Sequence, residues 1–153
     1  MSAPSPNGDG AYRCMKAALR DANITDKDIT HVNCHATSTH AGDIAEFYAM
    51  EKLFGSHLPN VWISATKGNH GHMISATGAI ESVFSVLSCY YGLIPPISNL
   101  DKLDSRIQRS KFLPRIPTGK KAEEWKAKKR ILLKNSFGFG GTNACVIYAN
   151  YDG

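Results

Sequence analysis

The sequence predicts an α/β fold built from layers of helices and strands. Three segments repeat apolar residues with the 3.6-residue period of a helix, and short apolar segments typical of strands lie between them. Clusters of histidine, hydroxyl and glycine residues follow directly after several of the strand-like segments. Because α/β proteins bind ligands at the ends of their strands, these clusters are the candidate functional sites.

The helices and strands are placed by periodicity and by end signals. Thr25 followed by Asp28 predicts a capped turn after the first helix, Gly55 ends the second helix, and Gly92 ends the third. Helices are predicted at about residues 10–23, 41–54 and 75–91, and strands at 31–34, 61–64, 131–135 and 143–149. Residues 98–128 are predicted to form a loop with a short strand near Phe112. The last two strands are joined directly, which indicates a mixed sheet.

The third helix has two different sides. Apolar residues recur along one side with helical spacing. A polar stripe runs along the other side and consists of Thr77, Glu81, Ser85 and Ser88. Periodicity alone predicts that this polar stripe faces the solvent.

Composition excludes several classes of protein. The chain has 153 residues, of which 42% are hydrophobic and 20% charged, which fits one globular domain over residues 1–153. No window has the ~18 apolar residues of a membrane helix, and residues 1–10 lack the features of a secretory signal. The four cysteines form no C-x-x-C pair, which favours reduced thiols.

The net charge of +5 is concentrated in one stretch. Twelve of the 18 Lys and Arg residues lie between Lys102 and Lys134. Such a stretch is typical of a solvated loop, and it would also attract an acidic partner. Its only aromatic residues are Phe112 and Trp125, and it has no recognisable nucleic-acid-binding motif. We therefore expect no nucleic acid partner.

Three motifs have residues suited to catalysis. The first is His35-Ala36-Thr37-Ser38-Thr39, and the second includes Lys67-Gly68 and Gly71-His72 at the start of a helix. A neutral imidazole there would donate a hydrogen bond to a developing oxyanion. The third, Asn135-Ser136-Phe137-Gly138-Phe139, continues into more glycines but lacks the Gly-Lys-Ser/Thr of a phosphate loop. The histidine spacings and the absence of nearby carboxylate or Cys ligands argue against a metal site.

The three motifs together resemble the C-terminal half of the β-ketoacyl-[acyl-carrier-protein] synthases, condensing enzymes of the thiolase-like fold. Gly78-Ala79-Ile80-Glu81, Pro95-Pro96 and Asn99-Leu100-Asp101 match the same family in register. The resemblance covers about residues 9–148 and is greatest to elongating synthases of the animal mitochondrial type. It implies one half of an αβαβα layered architecture with a mixed sheet, and a homodimer for the intact enzyme.

The resemblance implies a role for each candidate residue. His35 and His72 are implied to be a catalytic pair that stabilises the enolate of a malonyl thioester. Lys67 and Glu81 are implied to form a buried ion pair that supports the two rings, which contradicts the solvent-facing prediction for Glu81. The remaining implied positions are Thr37 and Thr39, which hold the phosphopantetheine arm, Phe139, which gates the site and contributes its backbone N–H, and Phe137, which lines the pocket.

The resemblance also implies what the chain works with. The family needs no cofactor, because its substrates arrive on the phosphopantetheine arm of acyl carrier protein, whose acidic surface suits the basic stretch. No Thr-Ala-Cys-Ser elbow of the nucleophile is present, so the isolated chain is expected to be inactive and Met1 not to be the natural start. Two alternatives are a polyketide-type ketosynthase half and a non-catalytic product that binds carrier protein or a subunit. The implied compartment is mitochondrial, or cytoplasm or plastid for a bacterial or plant chain.

Overall fold

The computed structural model describes residues 5–151, so the expectation about Met1 lies outside the described residues. Five α-helices occur in this part of the chain: α1 (Asp9–Asp21), α2 (His40–Phe54), α3 (Lys67–His70), α4 (Thr77–Tyr91) and α5 (Ser105–Gln108). The strands of the same part are β1 (His31–Asn33), β2 (Trp62–Ser64), β3 (Leu93–Ile94), β4 (Glu123–Glu124), β5 (Ile131–Phe137) and β6 (Asn143–Ala149). The three long helices and the four main strands predicted from periodicity are confirmed.

The main sheet has the strand order β2-β1-β5-β6. β1 pairs in parallel with both β2 and β5, whereas β6 pairs with β5 in the antiparallel direction. The predicted mixed sheet is therefore confirmed. The carboxyl ends of the three parallel strands meet at one edge, and each of the three polar motifs begins at that edge.

The main apolar core lies on the side of the sheet covered by α1 and α2. Its largest buried side chains include Met15 from α1, Phe54 from α2 and Leu133 from β5. Burying such side chains contributes about 1.5–3 kcal/mol each to folding. This core fixes the sheet from one side and leaves the edge with the motifs uncovered.

Helix α4 covers the other side of the sheet with its polar stripe turned inward. Thr77, Glu81, Ser85 and Ser88 are all buried, and the Asn33 side chain donates a hydrogen bond to the Ser85 hydroxyl at 3.1 Å. The prediction that this stripe faces solvent is wrong, because polar groups from β1 and β5 satisfy it. The side chains that α4 exposes are apolar, and they include Val83, Leu87 and Tyr90.

The segment between α4 and β5 is less regular than the rest. β3 and β4 form a small antiparallel sheet, and α5 lies between them in sequence. The predicted loop over residues 98–128 contains α5 and β4, and the short strand expected near Phe112 is wrong in position: Arg115 forms an isolated parallel bridge with Trp62. No helix among the described residues is long and apolar enough to cross a membrane.

Candidate active site

The two motif histidines face each other at the edge of the sheet. The ring centroids of His35 and His72 are 5.5 Å apart and their planes are nearly perpendicular, at 88°. The ring of Phe137 lies on another side of His35, with its centroid 5.7 Å away. The structure thus brings together three residues that are widely separated in sequence. Each lies at or just after the end of a different helix or strand.

The hydrogen bonds of His72 determine where its proton lies. The backbone N–H of Ile74 donates to Nδ1 of His72 at 3.1 Å, and the Thr77 hydroxyl lies 3.0 Å from the same nitrogen. A nitrogen that accepts a hydrogen bond carries no proton in the neutral ring, so the proton of neutral His72 is on Nε2. Nε2 is therefore free to donate to a ligand.

His35 is held in its neutral form by its surroundings. Burial, followed by the positive charges of Lys67 and Lys134, lowers the pKa of His35 to about 4, against a smaller opposing effect of Glu81. Its Nδ1 atom is buried and has no hydrogen-bond partner among the described residues. An imidazole that stays uncharged at neutral pH can donate a hydrogen bond to a developing oxyanion.

Lys67 and Glu81 form the expected ion pair. Lys67 Nζ lies 2.6 Å from Glu81 Oε1, and their side chains are 8% and 0% exposed. Lys67 Nζ also donates to the carbonyl oxygen of His35. The buried pair implied by the resemblance is confirmed as a contact, whereas its part in catalysis stays a prediction.

The Glu46 carboxylate holds the backbone at His35 from the other direction. It accepts hydrogen bonds from the backbone N–H groups of His35 and Ala36 and from the Asn135 side chain, each at 2.9 Å. Ala36 has a φ of +27°, which is strained for a residue with a Cβ, and the two N–H bonds stabilise that conformation. Glu46 was not among the residues predicted from the sequence, although a glutamate among the apolar residues of α2 indicated a buried polar contact.

The hydroxyls of Thr37 and Thr39 lie at the mouth of the site. Their oxygens are 2.9 Å apart, and Thr37 is half-buried while Thr39 is exposed. Both are accessible to a ligand that approaches His35 from solution. Their assignment to a phosphopantetheine arm stays a prediction.

The two phenylalanines of the third motif lie in different places. Phe137 contacts His35, whereas the side chain of Phe139 is 86% exposed and belongs to a turn, Phe139–Gly141. Gly140 and Gly141 in this turn have φ values of +80° and +85°, which favour glycine. The structure does not bring the Phe139 ring into the site, and its gating role stays a prediction.

The described residues contain no group of three or more metal-ligating side chains. His70 lies 3.1 Å from the Thr66 hydroxyl and stacks on Phe84, so it is turned away from His72. His31 is fully buried, and its Nε2 lies 2.7 Å from the Ser64 hydroxyl. Neither contributes to the pair formed by His35 and His72.

Three of the four cysteines of the chain are poorly suited to act as a nucleophile. All four are free thiols, and burial raises the pKa of Cys34, of Cys145 and of Cys89, the last to about 11. A buried thiol whose pKa is raised is a poor nucleophile, because the thiolate is the reactive form. The arrangement can donate hydrogen bonds to an oxyanion, and the three thiols with raised pKa values are not activated.

Comparisons with known proteins agree with this geometry. Residues 1–101 match the family described as beta-ketoacyl synthase, C-terminal domain. The chain is 41% identical over 158 residues to 3-oxoacyl-[acyl-carrier-protein] synthase 2 of Rhizobium meliloti, covering 100% of the chain and 34% of that protein. It is 38% identical over 155 residues to a putative mitochondrial 3-oxoacyl-[acyl-carrier-protein] synthase of Schizosaccharomyces pombe, covering 99% of the chain and 35% of that protein.

A solved structure shows the same fold with a partner bound. The chain is similar to a type II polyketide ketosynthase in complex with its acyl-carrier protein, with a TM-score of 0.84, 28% identity, and coverage of 96% of this chain and 34% of that one. The chain thus spans about a third of the length of the relatives it matches. The thiolase-like fold of the ketosynthases is shown, while the extent of the domain, residues 1–153, stays a prediction.

Proposed function

Because the chain belongs to the β-ketoacyl synthase family, of which it contains the C-terminal domain, we propose that it supplies the histidine half of the active site of a 3-oxoacyl-[acyl-carrier-protein] synthase. The observation that carries this proposal is the His35–His72 pair, whose ring centroids are 5.5 Å apart. Nε2 of His72 is left free to donate, and His35 is uncharged at neutral pH. The proposed reaction is the decarboxylative condensation of fatty acid synthesis.

The two rings would act on the thioester oxygen of a malonyl group. When the bond between the α-carbon and the carboxylate breaks, its electron pair moves onto the α-carbon and CO2 leaves. The negative charge is delocalised onto the thioester oxygen, where His35 and His72 donate hydrogen bonds. One such donor is typically worth about 3–4 kcal/mol of transition-state stabilisation.

The carbon–carbon bond would form in the following step. The enolate carbon attacks the carbonyl carbon of an acyl thioester held on a cysteine, and that thiolate leaves as the 3-oxoacyl product forms. The raised pKa of the buried thiols in this chain supports a nucleophile located in another segment. The 153-residue chain alone is then inactive in condensation, which is compatible with the second candidate, a non-catalytic product that binds carrier protein.

The expected partner is acyl carrier protein. Exposed lysines of the basic stretch, such as Lys120, Lys121 and Lys129, are available to an acidic surface. Some basic residues of the stretch are engaged elsewhere; for example, Lys134 is buried, and Arg130 donates to the carbonyl oxygen of Cys89. The docking surface therefore excludes these two residues.

The assembly and compartment are proposed from the resemblance. We expect a homodimer for the intact enzyme, with no cofactor beyond the phosphopantetheine arm carried by the substrate. The relatives include mitochondrial, chloroplastic and bacterial proteins, and the mitochondrial type is our proposal for this chain. The apolar side of α4, which is exposed in this chain, would pack against the rest of the longer enzyme.

A chimera tests the proposal. The N-terminal two-thirds of the Rhizobium meliloti synthase is joined to this chain in place of the matching C-terminal third, and malonyl decarboxylation and condensation are measured separately. We expect both activities in the chimera and neither in the chain alone. A folded chimera that loads an acyl group but does not decarboxylate malonyl-carrier protein would contradict the proposal.

A further inference from the structure

Lys134 is a buried charge that the proposed reaction does not use. It lies in the middle of β5, and its side chain is 2% exposed. Its Nζ atom is 2.8 Å from Glu81 Oε2, an ion-pair contact without hydrogen-bond alignment. It also donates to the Ser136 hydroxyl at 3.1 Å and to the carbonyl oxygen of Asn135. All three of these contacts of Nζ are with oxygen atoms.

Glu81 is shared by two lysines. Lys67 Nζ contacts Oε1 and Lys134 Nζ contacts Oε2, so both oxygens of one carboxylate have an ammonium partner. Removing one member of a buried ion pair leaves an uncompensated charge, which is costly. The orientation of the Glu81 carboxylate is therefore determined from both sides, and Lys67 is held where it reaches the carbonyl oxygen of His35.

These contacts form a closed ring of interactions that includes the backbone of His35. Lys134 reaches the carbonyl oxygen of Asn135, and the Asn135 side chain donates to Glu46 at 2.9 Å. Glu46 accepts the N–H of His35, and Lys67 donates to the C=O of the same residue. Two lysines and two glutamates thus hold the backbone of one catalytic histidine on both sides.

We propose that Lys134 is a positioning residue for the condensation reaction, which holds Glu81 so that Lys67 fixes His35, and which adds a second positive charge near His35. This inference rests on the proposed function. Lys134 is not one of the residues to which the resemblance assigns a role. Lys134 does not touch the substrate in this account, since it is enclosed by Glu81, Asn135 and Ser136.

The stability of the fold does not by itself explain why a lysine occupies this position. Replacing one partner of a buried ionic network by an apolar side chain lowers the stability of the fold when the other charges are left unpaired. Replacing the whole network by well-packed apolar side chains is often neutral or stabilising. The neighbours of Lys134 in β5, Leu132 and Leu133, are fully buried apolar residues. The charge at position 134 is therefore best explained by what it does to Glu81 and His35.

The charged and titratable groups that shift the pKa of His35 belong to this ring or to the catalytic pair. Lys67 and Lys134 lower the pKa of His35, Glu81 raises it and His72 lowers it slightly, while Glu46 is bonded to its backbone N–H. Loss of the Lys134 charge removes one group that disfavours the imidazolium and leaves Glu81 with less compensation. The pKa of His35 then rises towards its ordinary value.

The test uses the chimera and a variant without the charge, Lys134→Met. The matched control is Lys27→Met, which removes an exposed lysine from outside the basic stretch. We expect Lys134→Met to move the acid limb of the pH–rate profile for malonyl decarboxylation to higher pH. We expect kcat to fall on the order of tenfold to a hundredfold at little change in KM, because misplacement of His35 affects the transition state. Lys27→Met should change neither the acid limb nor kcat.

The outcome separates this inference from the proposed function. An unmodified chimera without activity would contradict the proposed function, whereas an active chimera whose folded Lys134→Met variant keeps the same acid limb and kcat would overturn the role of Lys134. If Lys134→Met does not fold, Lys134→Ala is assayed with added ethylammonium, which restores the missing ammonium. Recovery with ethylammonium but not with tetramethylammonium supports the proposal, and no recovery in a folded variant contradicts it.

Discussion

The two sides of the main sheet bury different proportions of polar side chains. The side covered by α1 and α2 contains an apolar core around Met15, Phe54 and Leu133. The side covered by α4 buries Glu81 and Lys134, with hydroxyls and amides around them. Apart from Glu46, the apolar side holds the fold together without specific partners, because hydrophobic burial is non-directional. The polar side requires defined partners for each group, and this requirement positions the two catalytic histidines.

The largest effect on the free energy of unfolding is expected from Glu81→Ala. Removing the carboxylate leaves Lys67 and Lys134 buried without their partner, so the free energy of unfolding should fall by about 3–5 kcal/mol. Chemical denaturation at neutral pH measures it. The control is Glu124→Ala, which removes an exposed partner of Lys126 and should change stability by less than about 1 kcal/mol. Equal effects of the two substitutions would contradict the account.

Met15→Ala probes the apolar side in the same way. The truncation leaves a cavity under α1 and should lower the free energy of unfolding by about 2–5 kcal/mol. Unlike Glu81→Ala, it should leave the acid limb of the pH–rate profile unchanged in the chimera, because no charge near His35 is altered. A shift of that limb would show that the two sides of the sheet are not independent.

The pH dependence of the free energy of unfolding provides a third test. Burial lowers the pKa of His31 to about 3, below its ordinary value of 6.5. A histidine with a depressed folded-state pKa contributes stability that is fully present above the unfolded pKa and is lost as the pH falls through 6.5 towards 3. Between pH 7 and pH 5 the unfolding free energy should fall by about 1–2 kcal/mol from this residue.

His31→Gln measures this contribution, because glutamine keeps a polar group near Ser64 but does not titrate. Unfolding of the variant and of the original chain is compared at pH 7 and pH 5. We expect the original chain to lose more stability than the variant over this interval. An identical loss in both would contradict a neutral buried His31.

The smallest effect on stability is expected on the outer side of α4. Val83 and Tyr90 are more than half exposed, and their replacement by Asn and Ser should change the unfolding free energy by less than about 0.5 kcal/mol. The isolated chain should nevertheless associate less after the substitution, since the apolar side of α4 is reduced. Sedimentation measures the association. A chain that is already a soluble monomer before substitution would contradict this prediction.

The sequence predicted the elements with strong periodicity or strong end signals. α1, α2, α4 and the strands of the main sheet were found in this way, and the mixed sheet followed from the direct connection between β5 and β6. Periodicity failed for the orientation of α4, because it assumes that the apolar side of a helix is the buried side. The family resemblance gave the correct burial of Glu81.

The supporting residues of the site could not be predicted from local sequence. Glu46 and Lys134 act through partners that are distant in sequence, and only the sheet pairing of β1 with β5 brings them together. The pairing of His35 with His72 was predicted from the resemblance and not from spacing. The strand-like contact at Arg115 was misplaced because it depends on a single bridge to Trp62.

The central claim is that His35 and His72 donate to one thioester oxygen, and a double-mutant cycle tests it most directly. Malonyl decarboxylation is measured in the chimera with His35→Ala, His72→Ala and both substitutions, with His70→Ala as the control histidine from the same loop. Each single catalytic variant should lose about a hundredfold to a thousandfold, the double variant much less than the product of the two losses, and the control nothing. Wild-type decarboxylation in both single variants would contradict the account.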